Sequence, residues 1–123
     1  MKSINEFLVH EKQPIKDAVK VIQGNLSRCA VVVNDARKVV GVFSEGDVLR
    51  AILNEVDLYV PVKKVVKPSF LSIESRDLKK AFALMKKHGI SLVPVINDAY
   101  ELTGVITLLE ILEKLEFPSG GVE

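Results

Sequence analysis

Apolar residues recur along this chain at two spacings. Ile15, Ala18, Val19 and Ile22 lie three and four apart, as do Leu78, Ala81, Phe82 and Met85, which predicts two amphipathic helices. Pro14 suits the first turn of the earlier helix, and Gly24-Asn25 and His88-Gly89 supply stop signals. Each helix is followed by two short, nearly uninterrupted apolar runs, 29–33 with 39–43 and 92–96 with 102–106. Runs this short and this apolar predict strands covered on both faces. Asn34-Asp35-Ala36 and Asn97-Asp98-Ala99 join the runs and carry turn chemistry. A shorter apolar stretch precedes each helix (Phe7-Leu8-Val9 and Phe70-Leu71-Ser72-Ile73), and a second helix is predicted to close each half, over 48–53 and 108–115.

The two halves are one unit repeated. An offset of 63 sets Phe7-Leu8 on Phe70-Leu71, Lys16 and Ala18 on Lys79 and Ala81, Asn34-Asp35-Ala36 on Asn97-Asp98-Ala99, and Gly41-Val42 on Gly104-Val105. No gap is needed for 7–53 against 70–116, and Ser44 falls on Thr107 and Asp47 on Glu110. The expected organisation is a first βαββα copy over 1–53, a linker over 54–68, a second copy over 69–117 and a tail over 118–123. One copy alone leaves too much apolar surface exposed. The fold class expected is therefore α/β of the α+β kind, with two βαββα repeats packed sheet-to-sheet about a pseudo-twofold axis.

Composition narrows the function. Of 123 residues, 48% are hydrophobic and 27% charged, with a net charge of +1, so nothing in the balance points to a nucleic acid. Lysines 63, 64, 67, 79, 80, 86 and 87 are dispersed at spacings usual for a solvated face. Cys29 is the single cysteine, which rules out an intrachain disulfide and a cysteine-based zinc site. His10 and His88 are the only histidines and lack convergent ligand spacing, so no metal is expected. The opening MKSINEF is unlike a signal peptide, and no apolar run approaches the ~20 residues that cross a bilayer. A cytoplasmic location and no membrane partner are expected. There is no glycine-rich phosphate loop, no dinucleotide fingerprint and no supported nucleophile–base pair, so the chain is not expected to be an enzyme.

Ser44-x-x-Asp47 and Thr107-x-x-Glu110 each follow a predicted strand and match a helix capping box. Glu110 has the length to reach back to the cap. Asp47 is shorter, and its carboxylate is expected to stay freer to accept from a vicinal diol such as a ribose.

The segments GVFSEGD (41–47), GVITLLE (104–110) and SLVPVIND (91–98), in this order and duplicated, resemble the CBS domain, named after cystathionine β-synthase; two in tandem resemble a Bateman module. The resemblance spans essentially the whole chain. It implies a non-catalytic regulatory module with clefts for AMP, ADP, ATP or S-adenosylmethionine, often a homodimer, adjusting an attached or associated protein. A narrower likeness is to CBS pairs beside sugar-phosphate nucleotidyltransferases. The resemblance implies one cleft holding Ser44 and Asp47, Ser27, Arg28 and Cys29, and, from the other copy, Phe70, Leu71 and Ser72. Arg28 would meet a phosphate, and Phe70 and Leu71 would sandwich an adenine. A second cleft would hold Thr107, Glu110, Ser91, Leu92 and Leu8, Val9 and His10. It is expected to be weaker, because Glu110 replaces the Asp and Ser91 stands where Arg28 does. The alternative is a ligand-free structural dimerisation module.

Overall fold

The computed structural model describes residues 4–114. The expected tail over 118–123, and residues 115–117 of the expected second copy, lie outside the described residues. The first copy opens with a 3-10 turn (Ile4–Phe7) and strand β1 (Leu8–His10). Helix α1 (Ile15–Gly24), strands β2 (Cys29–Val33) and β3 (Val39–Ser44) and helix α2 (Glu45–Leu53) follow. Past a 3-10 turn at Val62–Lys64, the order repeats as α3 (Leu78–His88), β4 (Leu92–Ile96), β5 (Leu102–Thr107) and α4 (Leu108–Lys114). Asp77 caps α3 by accepting from the Lys80 N–H at 3.1 Å, and Gly89 ends it at φ 66°, a left-handed conformation that glycine adopts without strain.

In the first sheet β2 is central, parallel to β1 and antiparallel to β3. In the second, β4 pairs antiparallel with β5, and the expected opening strand over 70–73 is reduced to one parallel bridge, Ile73 to Val95. The Ile73 N–H donates to the Pro94 carbonyl at 3.1 Å, and the Ile96 N–H donates to the Ile73 carbonyl at 2.9 Å. The next ladder bond back toward Leu71 would have to come from the amide of residue 94, and proline has no N–H to give.

The repeat is not ungapped throughout. Val9 pairs with Val32 and Ile73 with Val95, so the opening segments correspond one residue further along than the rest of the two copies do. The connection from Ile73 to Leu78 is one residue shorter than that from Val9 to Ile15. From the first helix onward the offset of 63 holds. Cys29 faces Ser44 as Leu92 faces Thr107, and both hairpins shift register at the same place, after Val32 and after Val95. Both turns are built alike. The Asn34 side-chain oxygen accepts from Ala36 and Lys38 N–H, and that of Asn97 from Ala99 and Glu101 N–H.

A pseudo-twofold axis runs between these turns. The Val39 N–H donates to the Tyr100 carbonyl at 3.0 Å, and the Leu102 N–H donates to the Arg37 carbonyl at 3.0 Å. Exchanging the copies converts one bond into the other. The sheets meet face to face, with Val31, Val33 and Val39 of one against Leu92, Ile96 and Leu102 of the other. The opposite sheet faces bury Ala30 and Val32 against Ile15, Ala18 and Ile22, and Val93 and Val95 against Ala81 and Met85. Strands apolar on both faces thus find both faces covered, and each fully buried Val or Ile contributes about 1.5–3 kcal/mol. The segment between the copies is fastened to the first: Ile15 N–H donates to the Val60 carbonyl, Val62 N–H to the Gln13 carbonyl, and Val62 is fully buried.

Candidate functional site

Strand β3 ends at Ser44 and α2 begins at the next residue, so one strand-to-helix junction displays Ser44 and Asp47 together. Ser44 is the N-cap: the Asp47 N–H donates to its Oγ at 3.4 Å. In return Asp47 Oδ2 accepts from the Ser44 N–H at 2.8 Å and from the Ser44 hydroxyl at 3.0 Å. Its Oδ1 accepts from the Arg50 guanidinium one turn on. Burial works against ionisation here, but the Ser44 N–H, the Arg50 guanidinium and the Ser44 hydroxyl outweigh it and hold the Asp47 carboxyl below its ordinary value. The expectation of a freer Asp47 is corrected: it completes the capping box. Glu110, expected to do so, makes only the forward half, its N–H donating to Thr107 Oγ1 at 3.0 Å, while its carboxylate reaches the Arg76 guanidinium instead. A nearby cation has won over the helix cap.

A cleft of about 450 Å³ opens at this junction, between the copies. Arg28, Cys29, Ser44 and Asp47 line it from the first copy, with Ser27, and Phe70 and Leu71 face them from the second. Arg28 takes a left-handed φ of 56°. Its guanidinium donates to the Gln23 carbonyl at 3.2 Å, and its own carbonyl accepts from the Glu45 N–H at 3.3 Å. Burial pushes the Cys29 thiol up, only partly opposed by the Ser91 hydroxyl, with the Asp47 and Glu45 charges adding to the rise, so it stays a thiol. Ser72, half-buried, lies one position past the lining stretch.

Ser91 and Leu92, expected at the other cleft, line this one. The Ser91 hydroxyl donates to the Ser27 carbonyl at 2.8 Å and stands 4.0 Å from Cys29 Sγ. The turns leading into β2 and β4 meet near the pseudo-axis, so both border the same space.

The pseudo-equivalent cleft, about 830 Å³, holds Thr107 and Glu110 together with Ile4, Phe7, Arg76 and Lys114. Val9 and His10 are placed elsewhere. Val9 points into the helix-side core at 1% exposure. His10 pairs with Val33 at the far end of the sheet, where its Nε2 lies 2.7 Å from Asp35 Oδ1 and its Nδ1 accepts from the Lys12 N–H at 3.1 Å. In parallel strands the ends coincide, so the residues near Thr107 are those entering β1, not those leaving it. Ser91 does stand at the counterpart of Arg28, but a guanidinium arrives from elsewhere: Arg76, in the loop after Ile73. No periodicity marks a loop arginine, and its one legible signal was the Glu at position 110. Among the described residues no cluster of three or more His, Cys, Asp or Glu could hold a metal, and no helix is long and apolar enough to cross a membrane.

Comparison with known proteins agrees with the fold. The CBS domain model matches twice, over residues 2–54 and 62–116. An uncharacterized protein of Methanocaldococcus jannaschii is 31% identical over 89% of the chain. The chain spans 27% to 35% of the length of the first curated relatives it matches. Among solved structures, a CBS domain protein from Pyrobaculum aerophilum complexed with AMP is similar at a TM-score of 0.70 and 23% identity, covering 92% of this chain and 97% of that one. A CBS domain pair in complex with 5'-methylthioadenosine and S-adenosyl-L-methionine is similar at a TM-score of 0.73 and 19% identity, covering 87% and 88%. With two matched copies, each ending in the same strand-to-helix junction, the chain belongs to the CBS domain family as a tandem pair.

Proposed function

We propose that this CBS pair is a non-catalytic regulatory module that binds an adenosine nucleotide, AMP or ADP before ATP, or a related adenosyl ligand such as S-adenosylmethionine, in the Asp47 cleft. The observation that carries the reading is the convergence of Arg28, Ser44 and Asp47 with Phe70 and Leu71 of the other copy around one cleft. Phe70 and Leu71 offer apolar surface for an adenine, and Arg28 on the rim offers a planar fork of donors for a phosphate. Asp47 and Ser44 are already bonded to each other, so a ribose would be read by the oxygen lone pairs the capping box leaves over. Solved CBS proteins with AMP and with S-adenosylmethionine support the ligand class. A module that reads a nucleotide pool works where that pool is, in the cytoplasm. The regulated protein would be attached or associated, such as a nucleotidyltransferase.

The readout surface would be a homodimer face. Leu49 and Leu53 on α2 are 60% and 80% exposed, and Leu112 on α4 is 46% exposed. Apolar residues on the outer sides of the two closing helices fit a twofold interface. The same face favours the second reading, a dimerisation module without ligand. A thermal-shift screen of adenosine against guanosine nucleotides separates the two. Binding to the folded state alone adds about 2.7 kcal/mol at a hundredfold excess over Kd. No shift with any adenosine ligand at millimolar concentration would leave dimerisation as the function.

A further inference from the structure

The second cleft contains an ion pair between two of its lining residues, Arg76 and Glu110. Arg76 Nη1 donates to the Val105 carbonyl at 3.3 Å, which anchors the guanidinium to β5, while Nη2 is paired with the Glu110 carboxylate on α4. The Arg76 side chain is 47% exposed and that of Glu110 is 23% exposed. The guanidinium is therefore held at one nitrogen by backbone and at the other by a side chain able to swing away. Around it the cleft of about 830 Å³ supplies the Thr107 hydroxyl, the Lys114 ammonium and an apolar wall from Ile4 and Phe7. Thr107 is buried, and its oxygen already accepts from the Glu110 N–H, leaving its proton to donate. In the first cleft the Asp47–Arg50 pair lies within one helix, and Arg28 is bonded to a backbone carbonyl with no carboxylate paired to it among the described residues. The two clefts thus hold their cations differently.

We infer that the Arg76–Glu110 pair is an anion-exchange latch: Glu110 occupies the place of a ligand phosphate, and a phosphate-bearing ligand enters the second cleft by taking the Arg76 guanidinium from Glu110. This rests on the adenosine-nucleotide reading above. It gives Glu110 a competing role in place of a ribose-binding one. A guanidinium N–H donates to a phosphate oxygen as readily as to a carboxylate oxygen, so the exchange at Nη2 needs no new donor and no movement of the anchored Nη1. The cost of breaking the pair lowers phosphate affinity here without touching the affinity for the nucleoside portion.

The test is calorimetric titration of AMP, with adenosine as the phosphate-free control, into the parent chain, Glu110→Gln and Arg76→Gln. Removing the competing charge is expected to tighten AMP at one site per chain by about fivefold, the scale of a partly exposed ion pair, with adenosine unchanged. Arg76→Gln is expected to lose the preference for AMP over adenosine at that site. Equal AMP affinity in the parent and Glu110→Gln would overturn the latch and leave the nucleotide reading standing. Absence of AMP and adenosine binding in all three chains would overturn both. Should Arg76→Gln fold poorly, Glu110→Gln alone decides.

Discussion

The Asp47 carboxylate accepts from the Ser44 N–H at 2.8 Å while the Asp47 N–H donates to the Ser44 hydroxyl oxygen, so the residue proposed to meet a ligand also closes the start of α2. The capping role and the proposed ligand role therefore fall on one side chain. Asp47→Ala is expected to cost about 1 kcal/mol, the usual worth of a cap, with the Arg50 pair adding little because that arginine is largely exposed. Asp47→Asn keeps an acceptor and should cost less. Urea denaturation of the three chains measures both, and an unchanged midpoint for Asp47→Ala would deny the capping role.

The same bonds set a pH dependence. The folded Asp47 carboxyl lies below its ordinary value, so its contribution is complete above that ordinary value, about 3.9, and is lost as pH falls through the lower folded-state value. Asp47→Asn should flatten the acid limb of stability against pH and leave the neutral region parallel to the parent. An acid limb unchanged in Asp47→Asn would place the dependence on other carboxylates.

Gly41 and Gly104 are pseudo-equivalent but not interchangeable. A Cβ at Gly41 would stand 2.5 Å from Val66 Cγ2 and 2.7 Å from the Lys67 carbonyl oxygen, because the inter-copy segment crosses directly over it. At Gly104 the nearest atom would be 3.7 Å away. Gly41→Ala is expected to destabilise by about 1–3 kcal/mol, and Gly104→Ala by much less. Equal losses by chemical denaturation would mean that the segment is not held there.

The Val39 and Leu102 amides each donate across the pseudo-axis to the other copy. Both should exchange hydrogen with solvent at one shared slow rate, set by separation of the copies. A Leu102 amide that exchanges far faster than Val39 would show that the second copy opens by itself.

Much of this was legible in the residues. The hairpins, their Asn-centred turns and the face-to-face sheets follow from apolar runs and one repeated turn, which local chemistry specifies. The opening segment lies one residue off the repeat offset, because Phe7 and Phe70 coincide at the offset that suits everything else while strand pairing aligns Val9 with Ile73. Which end of β1 borders a cleft is a matter of chain direction in the sheet, and that misplaced His10. Asp47 is turned back into the cap by Ser44 and by Arg50 one turn on, whereas Glu110 is drawn off by Arg76, whose approach is tertiary and leaves no periodic pattern in sequence.

Leu49→Glu with Leu53→Glu should convert a dimer to monomer in sedimentation velocity while leaving the helical signal intact, since both side chains are exposed in the single chain. A parent that is already monomeric at tens of micromolar would remove the dimer from the account.

The central claim, an adenosine nucleotide in the Asp47 cleft, is tested most directly by backbone amide NMR shifts on titration with AMP. The largest changes are expected at Arg28, Cys29, Ser44, Gly46, Asp47 and Leu71, the backbone that walls the cleft, with GMP giving much smaller ones. Shifts absent at millimolar AMP, or confined to residues such as His10 and Asp35 at the far end of the sheet, would contradict it.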